Sequence, residues 1–148
     1  MEPEQNHRIL AVDDNEQNLE LIVAYLEPLE CDVEVARDGI EALEKIENNP
    51  PDLILLDVMM PRMSGFECCR KIKSSPKLRD IPVLMVTALN SMEDIEQAVE
   101  SGTDDFISKP VNKLELRTRV NSLLKVAHLK DKLERAMEHI KQIDAPQQ

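Results

Sequence analysis

Four large apolar residues in a row, Leu53-Ile54-Leu55-Leu56, run straight into an acid, Asp57, before the chain turns away through Met59, Met60 and Pro61. An unbroken apolar run of this length is a strand covered on both faces, since a strand with one face in water would alternate. Strands of that kind belong to parallel sheets, whose strands must be joined by helical crossovers. Asp57 then stands at the tip of a buried strand, where an acid without a task is costly.

The rest of the chain supplies the crossovers. Apolar strand-like runs at Ile9 to Val12, Val33 to Val35, Leu53 to Leu56, Val83 to Val86 and Phe106 to Ser108 alternate with amphipathic segments, the pattern of an α/β fold. Helical spacing is kept by Leu19, Ile22, Val23 and Leu26, by Ile40, Leu43 and Ile46, by Phe66, Cys69 and Ile72, and by Met92, Ile95 and Val99. Ser64 with Glu67 and Asn112 with Glu115 have the spacing of helix starts, and Gly102 suits a helix stop. The second run alternates and the fifth is short and polar-flanked, which puts both at sheet edges. Right-handed crossovers then favour a doubly wound, flavodoxin-like sheet of five parallel strands in the order 2-1-3-4-5, with its ligand site at the carboxyl ends of strands one and three.

Composition narrows the function classes. A chain of 148 residues has room for one core, and its formal charge of -11 works against direct contact with nucleic acid or an anionic membrane. No apolar stretch approaches the roughly 20 residues that cross a bilayer, and the opening MEPEQNHR has no apolar segment of a signal peptide, so a soluble, cytoplasmic protein is expected. Cys31, Cys68 and Cys69 are expected to be reduced thiols, because their spacing is not that of a zinc or redox site.

The strand ends carry the chemistry. Asp13 and Asp14 follow strand one, Asp57 strand three, Thr87 strand four and Lys109 strand five. Each has an ordinary reading alone: an acid pair as a turn and helix cap, a threonine as a cap, a lysine as a solvated charge. Their coincidence at four strand ends in one register argues for a single crevice. Three neighbouring carboxylates require raised pKa values or a hard cation. Mg²⁺, which takes oxygen ligands and keeps positions for phosphate oxygens, suits them best. A carboxylate there can act as a nucleophile toward phosphorus, with Thr87 and Lys109 holding phosphoryl oxygens. Met59 and Met60 are expected to cover the core.

The blocks ILAVDDNEQN, PDLILLDVMMPRMSG, PVLMVTAL and DDFISKPV together resemble the receiver domain of bacterial two-component response regulators, over roughly Arg8 to Ala127. The resemblance implies Asp57 as phosphoacceptor, Asp14 as direct Mg²⁺ ligand, Asp13 as its water-mediated partner, and the main-chain carbonyl of Met59 as a further ligand. It also implies Thr87 as the switch hydroxyl, Phe106 as the switch aromatic, Lys109 as the phosphoryl-binding lysine, and a cis peptide at Lys109-Pro110. The implied partner is a histidine kinase or histidine phosphotransfer protein. Met59 and Leu89 are apolar where fast-cycling members of the family carry polar groups, so slow autodephosphorylation is expected.

Residues 1–127 are expected to form the receiver and 128–148 a helical extension with a disordered end. From Lys113 to Ile143 there is no Gly or Pro, enough for roughly 31 residues of helix, about 46 Å long. Val126, Leu129, Leu133, Ala136, Ile140 and Ile143 step by three and four, a heptad seam suited to a coiled-coil homodimer; the alternatives are packing on the chain's own domain and a dimer through the face of helix four, strand five and helix five. Such a helix is similar to those by which receivers feed diguanylate cyclases and related output domains. His128 and His139 on it are expected to be solvated. Competing readings are a pseudo-receiver serving only as an interaction module, an aspartate-nucleophile phosphatase, which would want Asp-x-Asp after strand one, and a flavodoxin, whose first turn should be rich in Ser, Thr and Gly where this chain has DDNEQN.

Overall fold

The computed structural model describes residues 7–88 and 91–144. Its strands are β1 (Arg8–Val12), β2 (Asp32–Ala36), β3 (Leu53–Asp57), β4 (Val83–Thr87) and β5 (Asp105–Ser108). Among the described residues they form one parallel sheet in the order β2-β1-β3-β4-β5. The helices are α1 (Glu16–Leu26), α2 (Gly39–Asn48), α3 (Gly65–Ser74), α4 (Met92–Glu100) and α5 (Lys113–Asp144). The expected order and edge strands are therefore found. β3 and β4 each run one residue further than the apolar pattern indicates, so that Asp57, beside Val86, and Thr87, beside Ser108, are the last rungs of the ladder.

Alternate residues of each central strand feed two separate cores, as the pleat requires. Leu10, Val12, Ile54, Leu56 and Met85 pack with Ala42, Ile46, Cys69, Ile72 and Ala98 under α2, α3 and α4. Ile9, Ala11, Leu53, Leu55 and Val86 pack with Leu19, Ile22 and Leu26 of α1 and with Leu116, Val120 and Leu124 of α5. Cys68 and Cys69 are buried free thiols, and burial pushes the Cys68 pKa up to about 12.

Helix starts are capped where the chain leaves the strands. The side chains of Asn15, Asp38, Ser64, Ser91 and Asn112 each accept the backbone N–H three residues on, at 2.8–3.2 Å. α4 departs from its apolar spacing: it buries Ala98 and leaves Met92 and Val99 exposed. The small Ala98 occupies the core-facing position, and the larger residues of the stripe lie to the outside of it.

α5 outlasts the sheet. Leu124 is the last buried residue of its apolar face, and beyond it Val126, Leu129, Leu133, Met137, Ile140 and Ile143 are 53–65% exposed. The helix does not fold back onto its own domain, and the heptad seam stands open; His128 and His139 are exposed on it. The expected disordered end falls on 145–148, outside the described residues, as does Leu89. Among the described residues no helix is long and apolar enough to cross a membrane.

Candidate functional site

The site is built from the carboxyl ends of β1, β3, β4 and β5. β1 passes directly into Asp13, whose N–H still bonds to Ala36 O of β2 at 3.1 Å. Its side chain is buried and held from two sides: Oδ1 accepts the N–H of Asn15 at 2.9 Å and Oδ2 the side-chain amide of Asn18 at 3.2 Å. Asp14 is exposed. Neither acid caps α1; Asn15 does, leaving both carboxylates for other use. The spacing of Asn15 to Asn18 in DDNEQN is the sequence signal for that cap, and the acid pair masks it.

Asp57 at the end of β3 is 3% exposed. Across from it the chain leaves β5 through the cis Lys109-Pro110 peptide, and Lys109 N–H bonds to Thr87 O at 2.8 Å. That bond fixes the root of the lysine, whose Nζ lies 2.9 Å from Asp57 Oδ1 and 3.6 Å from Asp13 Oδ2. The Lys109 contact is an ion pair off the hydrogen-bond direction, so Asp57 Oδ1 keeps an unused acceptor site although it is buried. Carboxylate oxygens of Asp13, Asp14 and Asp57 all lie within 4.8 Å of one another.

The electrostatics follow from this crowding. Burial raises the Asp57 pKa; Lys109 pulls it down, and the charges of Asp13 and Asp14 push it up again. For Lys109, burial works against the ammonium, yet Asp57 and Asp13 outweigh it and hold its pKa above the ordinary value. One lysine thus faces three acids. The excess negative charge, an all-oxygen donor set and a buried carboxylate oxygen with spare acceptor capacity fit a hard divalent cation such as Mg²⁺.

Thr87 is buried at the end of β4. Phe106 stands beside Met85 in the sheet register and packs, half-buried, on the core under α4. The sequence expectation for the methionines needs correcting. Met60 does pack on that core, but the Met59 side chain is 75% exposed, because the loop after β3 swings it outward. The helix opening expected at Ser64 and Gly65 is present, and a Cβ at Gly65 would lie 2.2 Å from Asp57 O, so α3 opens directly against the backbone of the acid.

Residues 9–121 match the family model described as the response regulator receiver domain. The chain is 46% identical over 126 residues to the response regulator PleD of Caulobacter vibrioides, covering 85% of this chain and 28% of PleD. It is 42% identical over 118 residues to the response regulator MprA of a Mycobacterium species, covering 80% of this chain and 50% of that protein. The chain thus spans half or less of these two relatives. Among solved structures, the signal receiver domain of a signal transduction histidine kinase from Syntrophus aciditrophicus has a TM-score of 0.77 at 39% identity, covering 80% of this chain and 90% of that one. A response regulator receiver domain protein from Methanospirillum hungatei has a TM-score of 0.79 at 32% identity, covering 85% and 99%. Sheet order, acid cluster and sequence kinship converge, and the chain belongs to the response regulator receiver domains.

Proposed function

We propose that this receiver accepts a phosphoryl group on Asp57 from the phosphohistidine of a histidine kinase or histidine phosphotransfer protein, in a Mg²⁺-dependent reaction. The observation that carries this reading is the Lys109 ammonium 2.9 Å from a buried Asp57 carboxylate that shares its pocket with two further acids. A carboxylate oxygen of Asp57 attacks phosphorus, the P–N bond breaks, and the departing imidazole keeps the electron pair. Asp57 is left as an acyl phosphate. Asp14, Asp57 and the Met59 carbonyl would hold the cation, with Asp13 beside them. Bound there, Mg²⁺ would neutralise charge on the phosphoryl oxygens. Lys109, already centred between Asp57 and Asp13, offers its protons to the incoming oxygens.

The new group adds nearly two negative charges. The Thr87 hydroxyl moves toward it, Phe106 follows into the space vacated, and the face of α4, β5 and α5 repacks. That face carries the exposed Met92 and Val99 and the Arg119–Asp105 ion pair at 2.9 Å, groups able to report the change to a partner. The shift is one of population between two packings.

Incubation with beryllofluoride, with and without Mg²⁺, tests the reading. Binding that requires both Mg²⁺ and Asp57 is the expected result; Mg²⁺-independent binding, or none, overturns it. Phosphoryl loss is expected to be slow, over minutes or longer, because Met59 offers no polar group to place a water. Met59→Asn is expected to speed it by about tenfold, a modest share of what a positioned proton acceptor contributes. Loss from the unaltered protein within seconds contradicts this.

The open seam of α5 is proposed to pair with a second copy of the chain. In a parallel pair Lys125 faces Lys130 of the other copy, so association should strengthen as salt screens the repulsion. Light scattering is expected to find a dimer that Leu133→Asp returns to monomer. A monomer at every protein and salt concentration refutes the pairing.

A further inference from the structure

The loop between β3 and α3 is held in a shape that chain connectivity alone does not require. Its base is closed by Gly65 N–H bonding to Val58 O at 2.9 Å. Inside it, Met63 N–H bonds to Pro61 O at 2.7 Å, closing a three-residue turn on Arg62, whose φ is +68°. A γ-turn with positive φ is rare and strained, and a side chain as large as arginine at its centre makes it more so. Such a turn persists only where its surroundings impose it.

The surroundings are the start of α2. Arg62 Nη2 is paired with Asp38 Oδ2. Asp38 divides its carboxylate, because Oδ1 caps α2 through Glu41 N–H at 2.8 Å while Oδ2 takes the guanidinium. Next to it, Met63 packs on Gly39 so closely that a Cβ there would come within 2.9 Å of its Sδ. A neutral Asn would serve the cap as well as Asp, but it would offer the guanidinium no charge to pair with. The same loop carries Met59.

We propose that the Arg62–Asp38 pair is a positioning device that holds the strained turn, sets where the Met59 carbonyl stands, and so tunes the affinity of the acid cluster for its divalent cation. This rests on reading that cluster as a Mg²⁺ site. The pair acts through the backbone and touches neither the cation nor the phosphoryl group. An exposed ion pair contributes little by itself; here it opposes local backbone strain, so its loss is felt in loop geometry more than in global stability.

The test measures Mg²⁺ affinity by calorimetry, melting temperature in EDTA, and the rate of phosphorylation by acetyl phosphate across Mg²⁺ concentrations. Asp38→Asn, which keeps the cap, and Arg62→Gln are each expected to weaken Mg²⁺ binding by about three- to tenfold. That is at or below the 10–100-fold carried by outer-shell partners of metal sites, because the Arg62 end of the pair is exposed. The double variant should be no weaker than either single one, and saturating Mg²⁺ should restore the rate. Arg62→Asn, which tolerates positive φ, should lose Mg²⁺ affinity while melting no lower than the unaltered protein, an opposition that a purely structural role does not produce. Arg62→Lys should recover part of the affinity. Unaltered affinity in both single variants, or losses that track melting temperature, overturn the positioning role alone. An unaltered protein that binds no Mg²⁺ overturns the Mg²⁺ reading beneath it as well.

Discussion

Asp57→Asn is expected to abolish phosphoryl uptake and, in EDTA at neutral pH, to melt higher than the unaltered protein. The first half follows from chemistry, since a carboxamide cannot form the acyl phosphate. The second follows from the site. Burial and the charges of Asp13 and Asp14 raise the Asp57 pKa above its unfolded value, despite Lys109. A carboxyl with a raised folded pKa binds its proton more readily in the folded state. Its cost to stability is absent below about pH 4 and complete above the folded pKa. The variant's advantage should therefore appear at neutral pH and fade as pH falls toward about 4. Each kcal/mol of relief would read as about 2–4 °C in a domain of this size. Lys109 tolerates the change, being partly exposed and still 3.6 Å from Asp13. Mg²⁺ should reverse the order. At a hundredfold excess over its dissociation constant it stabilises the protein that binds it by about 2.7 kcal/mol, and the variant much less. Calorimetric scans over pH and Mg²⁺ decide the stability half, and a hydroxylamine-labile phosphoryl group on Asp57→Asn would refute the assignment of the acceptor.

What patterning could and could not disclose divides along physical lines. Leu53 to Leu56 announced a doubly covered strand because burial on both faces leaves no other composition, and the alternation of Asp32 to Val35 announced an edge because one face meets water. The meeting of Asp13, Asp57 and Lys109 was legible because a parallel sheet delivers all its carboxyl ends to one side. Helix phase was less so. Met92 and Val99 keep helical spacing, but spacing records only that a stripe exists, and the small Ala98 beside it took the core. Met59 shows the same limit in a loop, where apolar character does not fix direction. The ties among Asp38, Gly39, Arg62 and Met63 depend on a close approach between two loops far apart in the chain, for which no local signal exists.

Gly65→Ala is expected to be among the most damaging single-methyl additions in the protein, at about 2–4 kcal/mol, or roughly 5–15 °C in melting temperature. The cost is one of space. The added Cβ would lie 2.2 Å from Asp57 O and 2.7 Å from Val58 Cα, both main-chain atoms of the central strand and its exit. Neither can rotate away as a side chain would. Either α3 lifts from β3, opening the core around Phe66 and Ile72, or the end of β3 shifts and carries Asp57 with it. Gly39→Ala separates this mechanism from glycine loss in general, because there the new carbon meets the flexible Met63 side chain, at 2.9 Å from Sδ. Gly102→Ala separates it from backbone strain, because φ is +90° and the near atoms belong to the Lys73 side chain; that variant should lose about 1–2 kcal/mol and keep its phosphorylation kinetics. Gly65→Ala, where it folds, should lose Mg²⁺ affinity and phosphorylation rate together, since the displaced backbone is that of the acceptor itself. A Gly65→Ala protein that melts no lower than Gly39→Ala, with unaltered Mg²⁺ binding, would mean that α3 can move off the strand without disturbing Asp57, and the view of that helix as the buttress of the site would fail.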